Sequence, residues 1–393
     1  MSNLLTPSLL VLALAATAGA QRTWVVDAGG TGNFKDLPAA LQAAKSGDTV
    51  FVKRGHYTPG RVSGKALRLI GETGATIDYK KRTDTFLIEN VGATGVVTIR
   101  GFTLFPSAFS LPGFTAALDL RGIAGRVHID RLTVTHQKVF SMGVNIENCK
   151  AVTIENSAVF GAVSIVSSRV SLAHCTLHAD VPPAIGPVTM ALRASRSVVE
   201  LAQCTVTGSS GCGHAPALEA IRCHATKLTI RGDASSTIAS GRYCIPSIRR
   251  PPAIDGGNSS ELRIDPSVRL FPTTNRIVGF TKITRRRTPS LTLSGGALGA
   301  TLDLNLYSEK GHFWFLWGAL PHTPTKLPWG DLWLDLRTLY LYGTGVQGPT
   351  QHTRVRIPLP NIPSLRGVAY AFTAWSGRLA TLEYSNPAAV VFR

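Results

Sequence analysis

The sequence predicts an all-β chain in which a solenoid of stacked β-coils is followed by a β-sandwich. Three observations carry that prediction. A four-residue phrase with apolar second and fourth positions recurs eight times, beginning at Ala66, Val96, Arg126, Ala151, Arg169, Val198, Lys227 and Glu261. The steps between successive phrases are 30, 30, 25, 18, 29, 29 and 34 residues, the range in which self-similarity marks a stacked-repeat architecture. After residue 290 the composition changes: five of the six tryptophans lie there, among alternating segments separated by Pro and Gly turns.

Each phrase alternates apolar and polar, the period of a strand with one buried face. Three residues beyond its last apolar position a second inward slot holds Phe102, Leu132, Ser157, Cys175 and Cys204, and two residues further stand Leu104, Val134, Val159, Leu177 and Val206. Another short strand precedes six of the eight phrases, at Thr85–Ile88, Ala117–Leu120, Val144–Ile146, Val163–Ile165, Met190–Leu192 and Glu219–Ile221. Two or three short strands joined by turns of unequal length describe one rung of a β-helix. An antiparallel sandwich would space its strands more closely and evenly.

In chain order, residues 8–16 form an apolar run before Ala18-Gly19-Ala20, so residues 1–20 are expected to be a secretory signal peptide. Residues 21–270 are assigned to the solenoid, 271–290 (with Pro272, Arg285–Arg287 and Pro289) to a linker, and 291–393 to the sandwich. No later segment offers 18 uninterrupted apolar residues, so no transmembrane segment is expected in the mature chain. The expected location is secreted, extracellular or in a bacterial cell envelope.

Export bears on the six cysteines, all within the solenoid: Cys149, Cys175, Cys204, Cys212, Cys223 and Cys244. Cys175 and Cys204 fall in the same inward slot on successive rungs, about 4.8 Å apart in a parallel stack. They are placed either to form a disulfide or to stack as small buried hydrophobes. Cys212, Cys223 and Cys244 lie near long loops and are further disulfide candidates. Cys212, His214, Cys223 and His224 hold sulfur and nitrogen ligands, but their spacing matches no zinc pattern.

The formal net charge is +18. Residues 289–393 carry 8 Lys and Arg against 5 acids, which leaves +15 on residues 1–288. A basic exported surface attracts polyanions. Acidic polysaccharide or an anionic cell envelope is therefore the expected partner, while no motif for specific nucleic-acid recognition is present.

The segment Val25-Val26-Asp27-Ala28-Gly29-Gly30-Thr31-Gly32-Asn33-Phe34-Lys35-Asp36-Leu37 opens with a strand and a Gly-rich turn. A short helix is expected next, with Leu37, Ala40, Leu41 and Ala44 on one face, before the strand Thr49–Val52. This stretch resembles the opening coil of the right-handed parallel β-helix superfamily, which includes pectate lyases, pectin methylesterases and polygalacturonases. The resemblance implies that fold, with the helix capping the open end of the solenoid. It does not imply a reaction. Gly30–Lys35 matches a pectin methylesterase opening, but the superfamily's carboxylate-bearing strings are missing, and Gly211-Cys212-Gly213-His214 only imitates a Gly-His-Gly motif.

Candidate chemistry then comes from the outward face of the phrase strands. Arg100, Asp130 and Glu155 are expected to form a vertical row, with His128 beside Asp130; these four are the candidate catalytic residues. Stacked carboxylates raise one another's pKa for acid–base work, or hold calcium for a uronate substrate. The bland alternative is a solvated row of compensating charges. The preceding strands add Asp119/Arg121 and Asn145/Glu147, so Arg121 and Glu147, with His136 and Lys138 in a nearby loop, are candidate substrate-binding residues. No metal site is assigned beyond a role for Ca.

In the C-terminal part, strands are expected near 338–342, 353–359, 367–375 and 388–392. Its tryptophans either stack on sugars or fill the core, and the alternation favours the core. The layout resembles C-terminal β-domains of other exported bacterial repeat proteins. Two functions follow: a β-helix protein that binds, and in one version cleaves, acidic polysaccharide, or a structural or adhesive envelope protein without catalysis.

Overall fold

A computed structural model describes residues 22–79, 85–105, 116–135, 142–179, 190–210, 217–232, 236–241, 250–274, 276–327, 330–378 and 382–392. The signal-peptide segment, His136, Lys138, Cys212 and Cys244 lie outside the described residues.

The repeat phrases fold as the sequence predicts. Val97, Val127, Val152, Val170, Val199, Leu228 and Leu262 stack in parallel register, each beside its counterpart on the next rung. They form the central sheet of a parallel β-helix. A leading sheet is built from the strands that precede each phrase, such as Ala116–Arg121, Met142–Glu147 and Ala162–Val166. A trailing sheet follows, with Thr133–Val134, Ala158–Phe160 and Thr176–His178. Inward residues of all three sheets join one buried column from Val26 to Leu270.

The bends between sheets use left-handed backbone at single residues. Asn90, Gly122, Asn148, Ser167, Arg196 and Ala225 turn the leading strand into the central one, and Gly101, Arg131, Asn156, His174 and Gln203 turn the central strand into the trailing one. One such residue redirects the chain without a long loop, at a steric cost that glycine avoids and asparagine tolerates. Just after the first bend an inward polar ladder ties the rungs: Ser168 Oγ accepts from Cys149 N at 2.9 Å, and Ser197 Oγ from Ser168 N at 3.1 Å.

The helix Leu37–Ala43 buries Leu37, Ala40 and Leu41, and Asp36 caps its start by accepting from Leu37 N at 2.8 Å. It packs on the strands of the first coils, where it covers an apolar end that would otherwise meet water.

Two expectations are corrected. The segment expected to be a linker at 271–290 contains the strand Ile277–Arg285, which pairs in parallel with Ile254–Ile264 and forms a last coil. Pro272, Arg286, Arg287 and Pro289 flank the strand, and Ile277 and Phe280 still pack against the solenoid core. The disulfide expectation for Cys175, Cys204 and Cys223 also fails, since all three are buried free thiols. Cys175 Sγ donates to Ile154 O at 3.4 Å and Cys204 Sγ to Leu172 O at 3.5 Å, so the pair stacks along the core.

The C-terminal part is antiparallel. Ser290–Ser294, Thr301–Tyr307 and His352–Pro358 form one sheet. Tyr340–Val346, Phe313–Ala319, Ala369–Gly377 and Glu383–Tyr384 form a second, with Ala388–Val391 paired to Ala369–Gly377. The hairpin Pro321–Leu327/Gly330–Leu334 completes it. Leu302, Leu304, Trp314, Leu316 and Phe372 meet between the two sheets as a sandwich core.

The thiol assignment predicts that, without reductant, Cys175 and Cys204 resist alkylation in the native protein and are alkylated after unfolding. Peptide mass spectrometry checks this; a Cys175–Cys204 linked peptide would contradict it.

Candidate functional site

The predicted row assembles in the predicted register: Arg100 stands beside Asp130 and Asp130 beside Glu155, with His128 beside Thr153. Its surroundings differ from the expected open groove. Arg100, His128, Asp130 and Glu155 are all buried, because the strand Ala388–Val391 lies across them. Arg100 donates to Val391 O, and Glu155 accepts from Ala389 N. Arg100 Nε also sits 3.3 Å from Asp130 Oδ2, and Asn156 donates to Asp130 Oδ1 at 3.0 Å.

The reason lies in the edge of that last strand. Ala388–Val391 pairs on one side with Ala369–Gly377, where the chain continues through a bond from Phe392 N to Val368 O. Groups at alternate residues of a strand point to opposite sides, so Ala389 N and Val391 O face away from that partner. A carboxyl and a guanidinium from the solenoid complete their hydrogen bonding. The same device recurs along the central sheet. Arg231 donates to Tyr384 O at 2.8 Å and to Pro289 O at 3.0 Å, with Glu200 Oε1 at 3.4 Å. Arg263 and Arg286 both pair with Glu383. The outer face of the central sheet is thus a docking seat, and the C-terminal domain covers the row expected to be catalytic.

Burial sets the protonation of the row. It pushes the Glu155 carboxyl well above the ordinary glutamate value; the Ala389 amide opposes this and Asp130 adds to it. It pushes His128 down to about 3, helped by Arg126, so the imidazole is neutral at pH 7. His128 Nδ1 lies 2.6 Å from Thr153 Oγ1, and its other nitrogen has no hydrogen-bond partner among the described residues. Neither group is set up to exchange protons with a ligand in water. Among the described residues no cluster of three or more His, Cys, Asp or Glu is arranged to hold a metal ion.

Arg121 and Glu147 lie on the leading sheet, around a corner from this row, and stack in register. Arg121 Nη2 sits 2.5 Å from Asp119 Oδ2, and Asn145 donates to Asp119 Oδ1 at 2.9 Å. Arg121 is exposed and Glu147 half-buried. The structure therefore separates Arg121 and Glu147 from the predicted catalytic row.

Two basic grooves flank the docked domain. One, of about 650 Å³, follows the corner between leading and central sheets and is lined by Asn148, Lys150, Ser168, Arg169, Arg196 and Pro324. The other, of about 470 Å³, lies at the opposite corner and includes Glu72, Arg100, Arg131 and Arg366. Sequence reading missed both. The available signal was the recurrence of cations near the left-handed corner of successive rungs, at Lys150, Arg169, Arg196 and Lys227.

No protein-family model matches the chain, and no curated protein matches it. Among solved structures it is similar to pectate lyase Pel9A, at 11% identity over 70% of this chain and 78% of that chain, with a TM-score of 0.32. It is also similar to tailspike protein 2 from an Escherichia coli O157:H7 bacteriophage, at 10% identity over 90% of this chain and 65% of that chain, with a TM-score of 0.26. At this divergence no residue or activity is carried over. The parallel register of the chain itself defines the fold.

The seat makes two predictions. Glu155→Ala leaves the Ala389 amide unsatisfied and costs about 1–3 kcal/mol, whereas Glu155→Gln retains an acceptor and costs less. Denaturant unfolding followed by tryptophan fluorescence reads both. The pH dependence follows from the sign of each shift. The raised Glu155 value gives a contribution present below the ordinary glutamate range and lost as pH rises through the folded value. The depressed His128 value gives one present above about 6.5 and lost as pH falls toward about 3. Glu155→Gln should remove the loss at rising pH and leave the loss at falling pH, seen as melting temperature against pH.

Proposed function

We propose that this chain is an exported protein that binds acidic polysaccharide along the corner between its leading and central sheets, and that the Arg100–Asp130–Glu155 row serves assembly instead of cleavage. One observation carries the reading: Lys150, Arg169 and Arg196, from three successive rungs, line one groove whose lining, among the described residues, includes no carboxylate.

Rungs stack about 4.8 Å apart, so cations repeated from rung to rung form a line parallel to the solenoid axis. An extended polymer with regularly spaced negative groups fits such a line better than a compact anion does. Lys227 and His224, both exposed, continue it on the next rung. Ser167 adds a hydroxyl that suits a sugar. Pro324 of the C-terminal hairpin forms one wall, so docking of the second domain shapes the groove. The +15 carried by residues 1–288 draws such a polymer from a distance.

The test is binding of pectate, alginate and a sulfated glycosaminoglycan to the full mature chain, with release of unsaturated or reducing ends followed in parallel. Binding should weaken as salt rises. Lys150→Glu combined with Arg196→Glu should lower affinity by about tenfold, or about 1.4 kcal/mol, while Asp130→Asn leaves it unchanged. Product release that vanishes in Asp130→Asn would overturn the assembly role of the row. Undiminished binding by the Lys150/Arg196 variant would move the glycan elsewhere.

A further inference from the structure

Arginines recur on the outer face of the central sheet, and several are engaged by the docked domain. Arg100 donates to Val391 O, Arg231 to Tyr384 O, and Arg263 pairs with Glu383. Arg126 is placed differently. Its Nε is shielded from water and has no hydrogen-bond partner among the described residues. Burial holds its guanidinium below the ordinary arginine value, with Asp335 opposing that shift. Arg68 is held down by burial as well. Withdrawing a cation from water costs free energy unless an anion or a full set of hydrogen bonds compensates it.

Arg68 and Arg126 line one cavity of about 260 Å³ between the solenoid and the C-terminal domain. Arg68 stands beside Thr98 and Arg126 beside Val96, so the two flank the strand Val96–Phe105 from the rungs on either side. Thr98 joins them on the solenoid wall, while Leu320, Pro321 and Val368 form the opposite wall. Among the described residues the lining includes no Asp or Glu. It shares no residue with the corner groove of Lys150, Arg169 and Arg196. Arg126 also helps to depress His128, two residues further along its strand, so its charge is felt beside the cavity.

We propose that this cavity is a binding site for one small oxyanion: a phosphate, a sulfate or the carboxylate of a single sugar acid. Geometry and size select that chemistry together with charge. A guanidinium is a planar fork that pairs two oxygens of such a group at once. Two forks from opposite sides of one strand suit an anion that presents several oxygens, and Thr98 offers a hydroxyl beside them. The volume falls below the roughly 300–1,000 Å³ of ordinary ligand pockets, which fits a single small acid and not a length of polymer. The apolar wall of Leu320, Pro321 and Val368 strengthens attraction between unlike charges there. That wall is present only with the C-terminal domain seated, so the anion binds the docked form and stabilises it. The inference does not rest on glycan binding in the corner groove.

The test is calorimetric titration of the full chain with inorganic phosphate, sulfate and a monomeric uronate, with chloride holding ionic strength constant. At least one should bind saturably at one site and raise the melting temperature as its concentration increases. Phosphate or sulfate binding alone identifies an inorganic occupant, and uronate binding identifies a sugar acid; either result supports the site. Arg126→Gln and Arg68→Gln should each weaken binding by about tenfold or more. Without added acid, Arg126→Gln should melt no lower than the wild type, because it removes a cation withdrawn from water. Lys282→Gln, which removes an exposed cation from the last solenoid strand, should bind as the wild type does. If Arg126→Gln does not fold, Arg68→Gln decides. Absence of saturable binding by all three acids overturns the proposal, as does binding that persists undiminished in the arginine variants.

Discussion

The strand Ala388–Val391 has one edge inside its own sheet and one edge that would otherwise stay unsatisfied, and the solenoid satisfies it with side chains. Arg100 meets Val391 O and Glu155 meets Ala389 N. A backbone group buried without a partner costs about as much as a lost hydrogen bond. The two parts of the chain are thus held in a defined relation by polar groups that each would lose on separation. The Arg231 bonds to Tyr384 and Pro289, and the Arg263–Glu383–Arg286 cluster, extend the same arrangement toward the last coils.

This seat changes the meaning of the charged row. Stacked carboxylates on the outer face of a β-helix suit acid–base chemistry when water and substrate reach them. Here both carboxylates and the neighbouring imidazole are covered, and burial favours the neutral form of Glu155 and of His128. A buried carboxyl that keeps its proton still accepts from an amide, which is the task the geometry gives it. Approachable cations line one corner at Lys150, Arg169 and Arg196, where each rung bends. On the proposed reading, glycan binding and assembly are divided between two faces of one coil.

The solenoid was legible because one residue pattern had to serve every rung. Apolar positions two residues apart fixed which side chains point inward, and the outward register of Arg100, Asp130 and Glu155 followed directly. The docking of Ala388–Val391 was not legible, since the contact joins Glu155 to a residue 234 positions away through backbone atoms that carry no sequence signature. The corner groove was hidden for a related reason. Its left-handed residues are Asn148, Ser167 and Arg196, which share a conformation but no side-chain type. The last coil escaped notice because Pro272 and Arg285–Arg287 punctuate both its ends, while its pairing depends on Ile277 and Phe280 reaching the core.

The most direct test of the divided-face account is amide hydrogen exchange across the full chain, with and without a saturating acidic glycan. Without glycan, residues 126–130, 151–155 and 388–391 should exchange slowly together, as one buried seam. Added glycan should protect the corner segments 148–150, 167–169 and 196–198 and leave the seam unchanged. Fast exchange at 388–391 in the free protein, or a glycan effect centred on 126–130 and 151–155, would contradict the account and return the Asp130–Glu155 row to the position of a binding site.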